Sequence, residues 1–339
     1  MDDAFWSLAM ISPVEYENSR TKTADGKDCT NSNNDEEDIV DTTTSTSFTM
    51  LPPHHNTSHK PLVLNLHTNQ NDGVLSDIAS SIWDAGLLLS SYLYGTDKGR
   101  KLCYDACFHK HTNENNGILE LGSGMGIVGL SAAATALSVY SERQTNDCCS
   151  TARVVLSDLN NKQILSQLQN NIHANLDAIV AASNKPDSEK NLLTITAKAC
   201  DWMDVSTSLN ADADISFDKK NNFPCARFNL ILGSALVYFP EHASACANTL
   251  FYYLTSRESI ESDTTSEDSA MERKAIILQL VDRCGFSTHF LPRCRSLGLT
   301  ITSQDLDPEL AKMVQQSKKN RTISIEDYRL YFITPPPTS

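Results

Sequence analysis

"ILELGSGMGIVGL" (residues 118–130) is an apolar run that ends in a carboxylate, Glu120, and then passes glycines at 122, 124, 126 and 129 before a helical pattern begins. A strand that enters a Gly-rich turn and leaves as a helix makes a ligand corner. Glycine lets the backbone approach a ligand, and the helix N-terminus presents unpaired N–H groups. The spacing narrows the ligand. A dinucleotide fingerprint needs G-x-G-x-x-G and an acid about twenty residues further on. Here the order is Gly122-Ser123-Gly124-Met125-Gly126, with Ile127 where the third glycine of that fingerprint would stand. No Lys-Ser/Thr pair of a P-loop follows. Glu120 just before the turn would repel a phosphate but suits a cation. That combination points to S-adenosylmethionine, whose sulfonium is positive and whose amino group is a donor. Glu120, Gly122, Ser123 and Gly124 are the candidate contacts at this corner.

Outward from the corner, strands and helices alternate. "GILELG" reads as a buried strand and "MGIVGLSAAATAL" as a helix of small residues able to lie close to a sheet. "ARVVLSDL" (152–159) is a second strand, followed by an amphipathic helix over 161–176 with apolar residues at 164, 165, 168, 172 and 176. Further strands are expected at 191–199, 228–239, 274–281, 299–306 and 328–334, with helices over about 241–255 and 286–297. Upstream, "PLVLNLH" alternates like a strand. The stretch 75–94 carries apolar residues at helical spacing, with Ser76 or Asp77 as its N-cap. This alternation implies a largely parallel sheet covered on both faces. The last two strands, with no helix between them, imply a terminal hairpin that adds an antiparallel strand.

Charge is unevenly placed. The 339-residue chain has a net charge of −14, of which residues 1–59 supply −8 and residues 258–272 ("ESIESDTTSEDSAME") supply −6. The rest is near neutral. A phosphate-backbone binder needs a basic stripe, so no nucleic-acid partner is expected. A basic protein partner is compatible with the acidic segments. Residues 17–59 are rich in Thr, Asn, Ser and Asp and read as disordered, so 1–59 is expected to be a mostly disordered tail and 60–339 the folded domain. "FWSLAMISPV" (5–14) stands in that tail as an apolar island. Polar insertions fall near 140–151, 183–190, 205–222 and 256–272. The ten cysteines show no zinc-site spacing, and no run approaches the roughly eighteen apolar residues of a spanning helix. The expectation is a reduced, soluble protein of the cytoplasm or also the nucleus, with no metal and no membrane contact.

Two further residues join the corner. Asp158 ends the second strand, where the ligand crevice of an open α/β sheet lies, and its carboxylate can accept both ribose hydroxyls; a helix N-cap is its ordinary alternative, a task open to Asn160. Trp202, after the third strand in "CDWMD", offers a flat apolar face for an adenine ring, or is a core tryptophan.

With "SIWDAGLLLSSYL", "ILELGSGMGIVGL", "VVLSDL", "DWMD" and "NLILGSALVYF" in this order, and with the surroundings of Arg283 and Gly298, the chain resembles the seven-β-strand protein-lysine methyltransferases, methyltransferase family sixteen, over roughly 61–334. The resemblance implies a Rossmann-like class I sheet of seven strands, mostly parallel with an antiparallel C-terminal strand and helices on both faces. It implies that Trp83, Gly122, Gly124, Asp158, Trp202 and Ser234 touch S-adenosylmethionine. It also implies a protein substrate methylated on lysine, with Tyr238 at the catalytic edge and Arg283 holding the C-terminal region. One departure stands out. Where the family usually carries an acidic residue three positions before Tyr or Phe, this chain has Ala235. Either another acid such as Glu241 substitutes, or the acceptor is a histidine, an arginine or a small molecule, or the domain binds cofactor as a silent adaptor. Cys284 and Cys294 read as buried small residues rather than nucleophiles.

Overall fold

The computed structural model describes residues 43–53, 60–69, 83–108, 117–143, 151–183, 192–210, 228–237, 239–255, 273–281, 285–310 and 324–336. Its first element is a ribbon. Strand β1 (Thr43–Met50) pairs antiparallel with β2 (Leu62–Asn69), Met50 opposite Leu62 and Thr43 opposite Asn69. This corrects the reading of 17–59 as disordered, because 43–50 is an ordered strand. Its Thr and Ser residues suit a half-buried pleat, and Phe48 and Met50, two apart, share its inward face. Phe48, Met50, Leu62, Leu64 and Leu66 are each 3% exposed or less. Residues 1–42, with the apolar island at 5–14, lie outside the described residues, as do Ser76 and Asp77.

After the ribbon come α1 (Asp84–Gly95), α2 (Asp97–Phe108), β3 (Gly117–Leu121), α3 (Ile127–Arg143), β4 (Ala152–Asp158), α4 (Lys162–Ala181), β5 (Leu193–Ala199), α5 (Trp202–Asn210), β6 (Leu230–Ser234), α6 (Pro240–Thr255) and β7 (Lys274–Leu280). A π-turn at Phe286–Phe290 runs into α7 (Leu291–Ser296), and β8 (Thr300–Asp305) and β9 (Tyr328–Thr334) complete the order. The insertion expected from 205 begins later, since α5 continues to Asn210.

Among the described residues seven strands form one sheet in the order β5-β4-β3-β6-β7-β9-β8. The five strands from β5 to β7 are parallel, while β9 is antiparallel to both β7 and β8. The expected terminal hairpin is therefore realised with a long connection, and β9 inserts between its partner and the rest of the sheet. Strand alternation divides the core in two. Ile118, Val154, Leu230, Leu232, Ile276 and Leu278 meet α1 to α4 and the ribbon on one face. Leu119, Leu121, Ile231, Ala275 and Ile277 meet the α5, α6 and α7 side. The chain runs outward from β3 through β4 to β5 and then restarts beside β3 at β6. The C-terminal ends of β3 and β6 therefore flank the point where strand order reverses, the place where such sheets bind ligands.

The α1–α2 corner, not anticipated from the sequence, is held by Thr96, whose hydroxyl donates to the Tyr92 carbonyl (2.7 Å) and accepts from the Gly99 N–H (3.0 Å). Gly99 sits so close to α1 that a Cβ there would lie 2.3 Å from the Tyr92 carbonyl oxygen and 2.7 Å from the Leu93 Cα. Both neighbours are backbone and cannot swing aside. Gly99→Ala is therefore expected to destabilise the protein by about 3 kcal/mol, against a helix-propensity gain of about 1 kcal/mol or less. Urea denaturation reads the difference; a stability equal to wild type would mean that the two helices do not pack this closely.

Candidate active site

The turn after β3 is built from conformations that side chains disfavour. Gly122, Gly124 and Gly126 have φ of +58°, +51° and +82°. At Gly126 a Cβ would also lie 2.5 Å from Leu156 Cδ2. The glycine spacing read from the sequence thus has a steric cause at each position. The turn is laced to its neighbour strand: the Ser123 N–H donates to the Ser157 carbonyl (2.9 Å), the Ser157 hydroxyl to the Glu120 carbonyl (2.7 Å) and the Ser123 hydroxyl to the same carbonyl (3.3 Å).

Asp158 closes the turn from the side. One oxygen accepts from the Gly124 N–H (2.7 Å), the other from the Leu159 N–H (2.8 Å). Each oxygen keeps further acceptor capacity, so a pair of ribose hydroxyls can still be received. The N-cap of α4 is neither Asp158 nor Asn160 but Asn161, which accepts from the N–H groups of Gln163 and Ile164. Asp158 is thus released from the role that competed with ligand binding. Its carboxyl is half-buried, and burial holds its pKa above the ordinary value despite the two N–H donors.

Trp202 opens α5 with its indole beside the glycine turn: a Cβ on Gly122 would lie 3.4 Å from Trp202 Cζ2. Leu159 (38% exposed) and Met203 (50% exposed) stand directly after Asp158 and Trp202. They add apolar surface to this sheet edge that the sequence reading passed over, although an apolar residue directly after each strand-end motif was visible. On the other side of the switch point, Ser234 ends β6. Gly86 lets α1 approach it, since a Cβ there would meet Ile127 Cγ2 at 3.2 Å and Ser234 Oγ at 3.5 Å. Trp83, half-buried, starts α1 and its carbonyl accepts from the Gly86 N–H. The structure therefore groups Gly122, Ser123, Gly124, Asp158 and Trp202 at one turn, and places Ser234 beside Gly86 in the first turn of α1, which Trp83 precedes.

Glu120 is placed differently from the other candidates. Its side chain shares the face of Ile118 and runs beneath α3, where Oε2 accepts from the Gly129 N–H (3.0 Å) at 1% exposure. A Cβ on Gly129 would lie 2.7 Å from that oxygen, so glycine there makes room for the carboxylate. Burial, with a smaller push from the Asp158 charge, raises its pKa to about 8, against the lowering effect of the Gly129 N–H and Ser123. Ala235, just after β6, is the one non-glycine residue with a left-handed backbone among the described residues (φ +50°), and its N–H donates to the Leu278 carbonyl (2.9 Å). Glu241 is exposed in the first turn of α6. Tyr238, Arg283 and Cys284 lie outside the described residues. Cys294 is fully buried, and burial pushes its thiol up to about 12, in keeping with a packing role. No group of three or more His, Cys, Asp or Glu among the described residues is placed to hold a metal ion, and no described helix is long and apolar enough to cross a membrane.

Residues that fit S-adenosylmethionine are thus present. The glycine turn leaves room for a methionine end to approach the backbone, Asp158 keeps acceptor capacity for a pair of ribose hydroxyls, and the Trp202 indole lies beside the turn as an apolar face, whereas Glu120 is turned away beneath α3. Glu120 also sets a pH dependence. The folded chain retains a proton that the unfolded chain releases above its ordinary pKa of 4.5. The stability from this group is complete below that value and is lost as pH rises through about 8. Denaturation between pH 5 and pH 9 should therefore show wild type losing a few kcal/mol more than Glu120→Gln, which cannot ionise. Parallel profiles for the two proteins would mean that this carboxyl titrates normally.

A family model described as lysine methyltransferase matches residues 63–260, more than half of the chain. A search of curated proteins gave no match. Among solved structures, a precorrin-6y C5,15-methyltransferase from Geobacter metallireducens is 9% identical with a TM-score of 0.34, covering 72% of this chain and 90% of its own. A TehB-like SAM-dependent methyltransferase from Corynebacterium glutamicum is 12% identical, TM-score 0.32, covering 71% and 89%. A phosphoethanolamine N-methyltransferase from Haemonchus contortus, solved with S-adenosylhomocysteine, is 11% identical, TM-score 0.35, covering 80% and 63%. With the family matched from the ribbon through α6, and with a turn and sheet edge that fit the cofactor, the chain belongs to the lysine methyltransferase family and is an S-adenosylmethionine-dependent methyltransferase.

Proposed function

We propose that the enzyme methylates a lysine side chain of a protein substrate in the cytoplasm or nucleus. The family description, which names lysine and matches residues 63–260, carries this reading. S-adenosylmethionine supplies a methyl group already activated by its sulfonium. What remains for the chain is to align the acceptor nitrogen in line with the carbon–sulfur bond and to exclude water. Lysine must arrive neutral although its ordinary pKa is about 10.4. Desolvation at the edge between β6 and α6, together with the positive charge of the cofactor, favours the neutral amine.

Tyr238, three residues beyond Ala235, is the group proposed to meet the acceptor, with Glu241 the nearest acid along the chain. Recognition of the partner is proposed to use the acidic segments, which match a basic protein surface. Ala235 favours a second reading, a different acceptor such as histidine, arginine or a small molecule. A carboxylate that would orient an amine is missing there.

Two measurements test the reading. Asp158→Ala should weaken S-adenosylmethionine binding by about 1–3 kcal/mol in calorimetry, the value of a hydrogen-bonded acceptor. Radiolabelled methyl transfer into a lysate, followed by mass spectrometry of the labelled peptides, should place the label on lysine. Label confined to another residue type or to small molecules would replace the lysine assignment and leave the cofactor assignment intact.

A further inference from the structure

The inner face of α4 carries an amide on three consecutive turns: Gln167, Asn171 and Asn175, exposed by 4%, 0% and 0%. Asn171 Nδ2 donates to the Met125 carbonyl (3.1 Å), inside the glycine turn, while its Oδ1 accepts from the His67 N–H (2.8 Å) on β2. Gln167 Nε2 approaches the sulfur of the same Met125 (2.7 Å). Among the described residues Asn175 makes no hydrogen bond to the turn. It accepts from the Asn65 N–H and donates to the Asn65 carbonyl, both at 2.7 Å, and also donates to the Asn171 carbonyl (2.7 Å).

The orientation of Asn171 is fixed by its neighbours. A carbonyl at Met125 needs a donor and an N–H at His67 needs an acceptor, so the reversed amide would lose both bonds. The β2 edge away from β1 is thus occupied by amides, and the same amides reach Met125 between Gly124 and Gly126. The turn is held on its cofactor side by Asp158 through Gly124, and on its protein side by α4 through Met125.

We propose that Asn171 is a positioning residue for cofactor binding: it fixes the Gly124–Met125–Gly126 bend from behind and ties that bend to the N-terminal β1–β2 ribbon. Met125 is 2% exposed, so Asn171 touches no cofactor and acts only through the backbone of the turn. Asn175, one turn along the same helix face and equally buried, bonds to the ribbon and to its own helix but not to the turn, and is the internal control. The inference rests on S-adenosylmethionine being held at this turn.

The test compares the full-length wild type with Asn171→Leu and Asn175→Leu, measuring both urea stability and S-adenosylmethionine affinity by calorimetry. Both variants should lose stability. Asn171→Leu should also bind the cofactor about tenfold more weakly, the equivalent of one buried hydrogen bond, whereas Asn175→Leu should bind within about twofold of wild type. Affinities unchanged in both, or reduced equally in both, would overturn the positioning role and leave only a structural one. Should Asn171→Leu fail to fold, Asn171→Ala decides by the same threshold. It removes both amide bonds without adding bulk or charge. A wild type that binds no cofactor would sink the cofactor assignment and this inference with it, an outcome distinct from a wild type and an Asn171→Ala variant that bind equally.

Discussion

The structure turns on one backbone constraint: β3 must become α3 within the five residues 122–126 without a side chain filling the space in front of the bend. Three left-handed residues solve it, and each is a glycine. At its three left-handed positions such a bend has no side chain to stiffen it, and glycine carries the largest entropy cost on ordering. Rigidity is therefore imported. Ser157 and Asp158 from β4 take hold of Ser123 and Gly124, and Asn171 and Gln167 from α4 take hold of Met125. From β3 itself, Glu120 anchors the first turns of α3 through Gly129. The β4 strand and the α4 helix matter to the site through these contacts.

The bend was legible because only glycine serves at such positions, so its spacing survives in the sequence as a pattern. Strands were legible for a similar reason: alternation or a short apolar run leaves few other readings. Glu120 shows where a pattern stops. Its place before the turn suggested a ligand contact, but strand parity puts it with Ile118 on the face covered by α3, and that direction follows only once the helices are assigned to faces. For Asp158 the sequence left helix capping open as an alternative, and the structure gives that task to Asn161, neither Asp158 nor Asn160.

Helix α4 shows a second kind of loss. Counting apolar residues placed Leu176 on its inner face, yet Leu176 is 39% exposed and Asn175 is buried instead. Ile164, Leu168 and Ile172 hold the inner face as expected. A buried amide makes sense only with its partners, and those of Asn171 and Asn175 on β2 lie 104 and 110 residues away. The same partners explain why 43–50 folds although 17–59 looks too polar to order. Averaged composition hides a strand of eight residues, and β2 is bonded on one edge to the α4 amides and on the other to β1.

Ala235 separates what the fold requires from what the acceptor requires. A left-handed alanine costs on the order of 1–2 kcal/mol, a conformation that glycine, asparagine or aspartate adopts more readily. Its persistence here, with the N–H bonded to Leu278, means that the exit of β6 is shaped by the sheet and not by the residue's own preference. The left-handed exit of β6 is thus kept here without a charged side chain at that position. Gly122, Gly124 and Asp158 belong to the ends of β3 and β4, on the other side of the switch point from β6. Ala235 is therefore set apart from the glycine turn, which is why the identity of the acceptor has to be read from the product and not from that turn.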